Sequence, residues 1–134
     1  MVLLAVSLLS ALAVDAVIGE SRAARAASLE ARAGALAESA LAAALAIRLD
    51  SVAMTAPAGT RLFSLVGGGA GDTHVTGVVL QPGLALVTAR AIVTARGVRS
   101  IAGRRFLAMI RPSGEGPGEA RLDAVTPNGW LAVP

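Results

Sequence analysis

Between Val2 and Leu49 nothing in the sequence breaks a helix, and this constrains the chain more than any other property. No proline occurs there, the only glycines are Gly19 and Gly34, and alanine, the best helix former, dominates the second half. Val2 to Ile18 is apolar apart from Ser7, Ser10 and Asp15. At 1.5 Å per residue it is about 26 Å long, the short end of what a bilayer core needs. Three readings compete: a membrane anchor, a cleaved signal peptide and a buried core helix. No basic n-region precedes Val2, although Ala11-Leu12-Ala13 and Val14-Asp15-Ala16 offer small residues at cleavage positions. Continuation of the helix to about Leu49, some 70 Å in all, favours the anchor.

The chain then divides into a transmembrane part, 1–19, an amphipathic alanine-rich continuation, 20–52, and a β-rich domain, 60–134. Leu29, Leu36, Ala40 and Ile47 share one stripe of the continuation, with Leu41, Leu45 and Leu49 beside it. Leu3, Leu4, Leu8, Leu9, Leu12 and Asp15, together with Leu29 and Leu36, are the residues expected to pack against other helices. A carboxylate in an apolar helix is costly in lipid, so Asp15 belongs either against a partner helix or, the favoured place, at the headgroup boundary. Arg22 and Arg25 read as interfacial anchors or as part of the solvated helix face. Asp50 and Ser51 mark the helix end, and Ala56-Pro57-Ala58-Gly59 is a break.

Beyond Gly59 the hydrophobic period becomes two. Arg61 to Val66 reads as a strand, Gly67 to Asp72 as a glycine-rich turn, and His74 to Leu80 as a second strand closed by Gln81-Pro82-Gly83. From Leu84 to Arg96 the alternation is strongest: Ala85, Val87, Ala89, Ala91, Val93 and Ala95 form one apolar face whose small residues suit an alanine-rich helix. Gly97 to Gly103 reads as a connection and Arg104 to Arg111 as the next strand. Pro112 to Gly118 reads as a loop, and Arg121 to Val133 as a hairpin around Pro127-Asn128-Gly129. The expectation is an antiparallel sheet of three to five strands.

Chemistry has little to draw on. His74 is the only histidine and stands near Asp72 without any sign of a nucleophile elbow, so an exposed strand-start histidine is the preferred reading over a Ser-His-Asp relay. Gly67-Gly68-Gly69-Ala70-Gly71 lacks the Gly-Lys-Ser/Thr and the following helix of a phosphate loop. Glu115, Glu119 and Asp123 match no calcium-loop spacing. There is no cysteine for zinc or thiol chemistry. All 12 basic residues are arginine, yet the net charge is only +3 and aromatics make up 2% of the chain, too little for a nucleic-acid surface with stacking platforms. The reading is a non-enzymatic protein with no cofactor, no metal, no nucleic-acid partner and no small-molecule substrate.

A helix that is hydrophobic first and amphipathic later, followed by a small antiparallel sheet, resembles the type IV pilin-like proteins, in particular minor pilins of the PilX type and type II secretion pseudopilins. Ala23 to Leu45 is similar to their post-membrane helix, with Ala37-Glu38-Ser39-Ala40-Leu41 matching an AEAGL-like segment, and Leu84 to Ile110 is similar to their late hairpin with its arginine pair, here Arg104-Arg105. The resemblance implies an α+β, pilin-like fold with a long N-terminal helix packed on a small antiparallel sheet. It implies a structural minor subunit of a type IV pilus or type II secretion filament, with membrane lipid and other pilin-like subunits as partners of the helix. The subunit would sit in the bacterial inner membrane as a single-pass protein, its sheet domain periplasmic or displayed on the filament, and a basic leader ending in glycine is expected upstream of the apolar run. The alternative is a secreted or periplasmic β-rich binding module with an N-terminal signal sequence.

Overall fold

The computed structural model describes residues 2–114, 116–125 and 131–133, and the side chains of 10, 12–114 and 116–125. One helix, α1 (Val2–Leu45), is followed by β1 (Leu49–Asp50), a short 3-10 helix (Ser51–Thr55), β2 (Arg61–Gly67), β3 (Asp72–Gln81), β4 (Leu84–Ala95), β5 (Val98–Pro112), β6 (Glu119–Ala124) and β7 (Leu131–Val133). The strands form a 7-stranded antiparallel sheet in the order β1-β6-β5-β4-β3-β2, with β7 also paired to β5. The sheet approaches a barrel without closing.

This corrects the pilin-like fold class. The sheet is larger than the three to five strands expected, and among the described residues no helix is long and apolar enough to cross a membrane. Asp15 interrupts the apolar run, and from Gly19 the same helix continues through Glu20, Ser21, Arg22 and Arg25, all polar or charged. The membrane-spanning role of 1–19, and with it the single-pass inner-membrane placement, is therefore not supported. The packing expected of Leu3, Leu4, Leu8 and Leu9 lies outside the described residues.

The helix also stops earlier than expected, at Leu45 rather than Leu49. Leu49 is needed elsewhere: it pairs with Ala120 of β6 and is buried there. Asp50 then caps the 3-10 helix, its carboxylate accepting from the Val52 amide at 3.0 Å.

Leu29, Ala33, Ala37, Leu41 and Ala44 form the buried stripe of α1, spaced by four, four, four and three residues, while Leu36, Ala40 and Leu45 are half-buried at its sides and Ile47 is half-buried just beyond the helix end. The large side chains flank the contact because its centre is made of small ones. Ala85, Val87, Ala89, Ala91 and Val93 of β4 and Ala102, Phe106, Ala108 and Ile110 of β5 are buried on the facing side. Alanine against alanine lets the helix lie close to the sheet, and Leu41, Val79 and Val87 are the largest side chains wholly enclosed.

Strands β4 and β5 pair in one unbroken register from Leu84↔Met109 to Ala95↔Val98. The expected connection at Gly97 to Gly103 is therefore mostly strand. Only Arg96 and Gly97 make the turn, and Gly103 sits within β5 opposite Arg90. The C-terminal hairpin is likewise corrected. Strands β6 and β7 both run antiparallel to β5, beside Ala108–Pro112 and Gly103–Arg105, so they follow one another along a single edge of it. The expected turn at 127–129 lies outside the described residues.

Gly77 shows how closely this sheet is fitted. It faces Phe63 across β2 and β3, and a Cβ there would lie 2.5 Å from the Phe63 ring. Gly77→Ala is expected to displace the ring and cost about 1–3 kcal/mol, as overpacking does. A urea titration checks this: the midpoint falls while the denaturant slope stays unchanged.

Candidate functional site

The residues proposed for assembly separate into two sets. Leu29 is buried with Ala33, Val93 and Ala102, and Leu36 packs half-buried against the same cluster and the main core. Both are therefore occupied by the sheet of their own chain. Leu12 and Asp15 belong to the opposite set: from Ser10 to Ser28 every described side chain is exposed except the half-buried Ser21. Leu12 is 60% exposed and Val17 64%, with Val14 and Ile18 also open. From Ser10 to Ser28 the helix runs for about 28 Å with its described side chains open to solvent, passing only the tip of the β4–β5 hairpin.

His74 has a partner that the sequence did not reveal. Its Nε2 lies 3.1 Å from the Ser64 Oγ, on the exposed face of the β2–β3 pair. The pairing depends on a register that shifts between Arg61 and Phe63, which no local pattern encodes. A serine beside a histidine is two-thirds of a nucleophilic relay, but Asp72 makes no hydrogen bond to the ring among the described residues, and neither cleft described below is lined by Ser64 or His74. Among the described residues no carboxylate is hydrogen-bonded to the ring to orient it.

Glu119 and Asp123 are held by arginines, while Glu115 lies outside the described residues. Arg48 Nη1 donates to Glu119 Oε2 at 3.0 Å, and Arg121 Nε lies 3.1 Å from Asp123 Oδ1. Among the described residues no group of three or more His, Cys, Asp or Glu could hold a metal ion. The glycine-rich segment serves packing: a Cβ on Gly71 would meet the Ile92 carbonyl oxygen at 2.6 Å, and the segment leads into β3 rather than a helix.

Two clefts lie beside α1. In one, Arg104 rises from β5 to donate from Nε to Glu38 Oε1 at 3.2 Å and from Nη1 to the Gly103 carbonyl at 3.0 Å. Gly34 makes room for it, since a Cβ there would stand 2.9 Å from the guanidinium. A helical glycine costs roughly 1 kcal/mol relative to alanine, and here it admits an ion pair between helix and sheet.

The second cleft, about 560 Å³, opens where α1 leaves the sheet and passes the tip of the β4–β5 hairpin. Leu29, Ala26, Ala95 and Val98 give it an apolar floor, and Arg22, Arg25 and Arg96 line it as well. Arg22, Arg25, Ala26 and Leu29 share one helix face by their spacing of three and four. Arg96 is brought in by the hairpin turn. It is the one described non-glycine residue with a positive φ, 49°, followed by Gly97 at 78°. Both central residues of a two-residue turn of this kind need φ above zero, which favours Asn or Asp at the first position rather than Arg.

No family model, curated protein or solved structure matches the chain.

Proposed function

We propose that this chain is a non-enzymatic structural subunit that assembles with further copies of itself through its N-terminal helix. It is the kind of filament-subunit role that the resemblance to type IV pilins and pseudopilins implies. The observation that carries the reading is the extension of α1 beyond the sheet with Leu12, Val14, Val17 and Ile18 open to solvent. An apolar surface of this length is unusual on a protein that works alone. Ala13 and Ala16 lie between those residues, and small side chains let a second helix approach closely.

Sedimentation of the full chain and of Leu12→Glu/Val17→Glu tests the reading. Both substitutions lie in the exposed segment, so the sheet domain keeps its circular dichroism spectrum and melting temperature. The expected result is a large, concentration-dependent species for the natural sequence and a monomer for the variant. A natural sequence that stays monomeric at every concentration, or a variant that assembles equally well, ends the proposal.

A second reading, a small β-rich binding module, is favoured by one observation, the arginine-lined cleft beside the hairpin tip.

A further inference from the structure

Arg22, Arg25 and Arg96 converge on one cleft, and no acidic residue lines it. None of the three makes an ion pair among the described residues, a state they share with Arg32, Arg61, Arg90, Arg99 and Arg105, while Arg48, Arg104, Arg111 and Arg121 are paired with carboxylates. All three side chains are exposed, so their mutual repulsion is screened and the empty cleft tolerates them. Arg96 carries a backbone cost, because a long side chain occupies a left-handed position where glycine or asparagine would be relaxed. The backbone cost falls on a residue that lines the cleft.

We propose that this cleft binds a single-chain amphiphilic anion, with an oxyanion head (phosphate or carboxylate) on the three guanidiniums and an aliphatic tail over Leu29, Ala95 and Val98. The guanidinium fork matches both head groups, since each offers two oxygens to two parallel N–H donors. A volume of about 560 Å³ is in the range of pockets that enclose small ligands. The lining separates into a charged rim and an apolar floor, as a ligand with one charged end requires. A free inorganic anion would leave the floor bare, and a neutral chain would leave the cations unpaired. The inference stands apart from the assembly reading, because it uses none of Leu12, Asp15 or Val17.

Calorimetric titration of the full chain with decyl phosphate and decanoate below their micelle concentrations is the test, with inorganic phosphate and decanol as head-only and tail-only probes. Either amphiphile is expected to bind at least about ten-fold more tightly than both partial probes. Arg96→Gly suits the positive φ, so it is expected to melt no lower than the natural sequence while losing at least about ten-fold in affinity. Arg25→Gln, which keeps the helix, is expected to weaken binding in the same direction. Equal binding of inorganic phosphate or of decanol, unchanged affinity in both variants, or no binding of either amphiphile would overturn the proposal. So would binding that occurs only to anionic phospholipid vesicles, which would make the arginines a membrane-surface contact instead.

Discussion

Phe106→Ala is expected to destabilise the protein by about 3–5 kcal/mol, a large share of the 5–15 kcal/mol typical of a whole domain. Phe106 is 3% exposed and pairs with Val87 at the centre of the β4–β5 ladder, on the side covered by α1. Its surroundings make the loss severe. The core cluster it belongs to is rich in alanine, with Ala37, Ala44, Ala85, Ala89, Ala91, Ala108 and Ala120 all buried. An alanine has no rotamer with which to reach into a vacated space, so the cavity stays close to its full size. Phe106→Leu keeps most of the buried carbon and is expected to cost clearly less. Chemical denaturation separates the two variants: both midpoints fall, the alanine variant's much further, with slopes unchanged. An alanine variant as stable as the leucine variant would show that the helix settles onto the sheet and closes the gap.

What the sequence disclosed follows the range of the physics involved. The alternation from Ala85 to Val93 is a local signal with period two, and its apolar face is the one buried beneath α1. The helix, too, is local in origin, since propensity and the lack of proline act residue by residue. Its buried stripe was displaced, because large side chains suggested Leu36 and Ile47 as the centre while close approach to the alanines of β4 and β5 favours Ala33 and Ala37. Gly97 and Gly103 looked alike in sequence. One completes a turn at φ 78° and the other lies in a continuous ladder, a difference decided by pairing with Arg90 rather than by glycine itself.

The candidate sites were less legible because each joins distant segments. Arg22 and Arg25 read as interfacial anchors or as part of a solvated helix face, and Arg96 as the end of the alternating stretch from Leu84. Only the position of α1 over the hairpin tip brings them together. One signal was available: Ala95-Arg96-Gly97-Val98 between two apolar alternations is a two-residue hairpin with an ill-suited first residue, and such a misfit points to function. No comparable signal joined Ser64 to His74.

Val87→Asp is expected to be more damaging than any cavity, because it places a charge where the natural chain has none. Val87 is wholly buried, paired with Gly77 on one side and Phe106 on the other. Valine and aspartate are similar in size, so the change acts through desolvation rather than shape. An unpaired buried ion costs several kcal/mol, enough to leave a domain of ordinary stability largely unfolded at neutral pH. The cost has a definite pH dependence. Burial raises the introduced carboxyl above its range in the unfolded chain, so the unfolded state gives up its proton first as pH increases. The penalty is therefore smallest below the ordinary carboxylate range and grows as pH rises through it, levelling off above the folded-state value. Comparison with Val87→Asn at each pH isolates this effect from anything the rest of the chain contributes. The Asp and Asn variants should unfold at similar denaturant concentrations near pH 3 and diverge towards pH 7, as the ordinary carboxylate range requires. If the two stay equally stable across that interval, water or an arginine reaches position 87, and the contact between α1 and β4 is looser than its alanines imply.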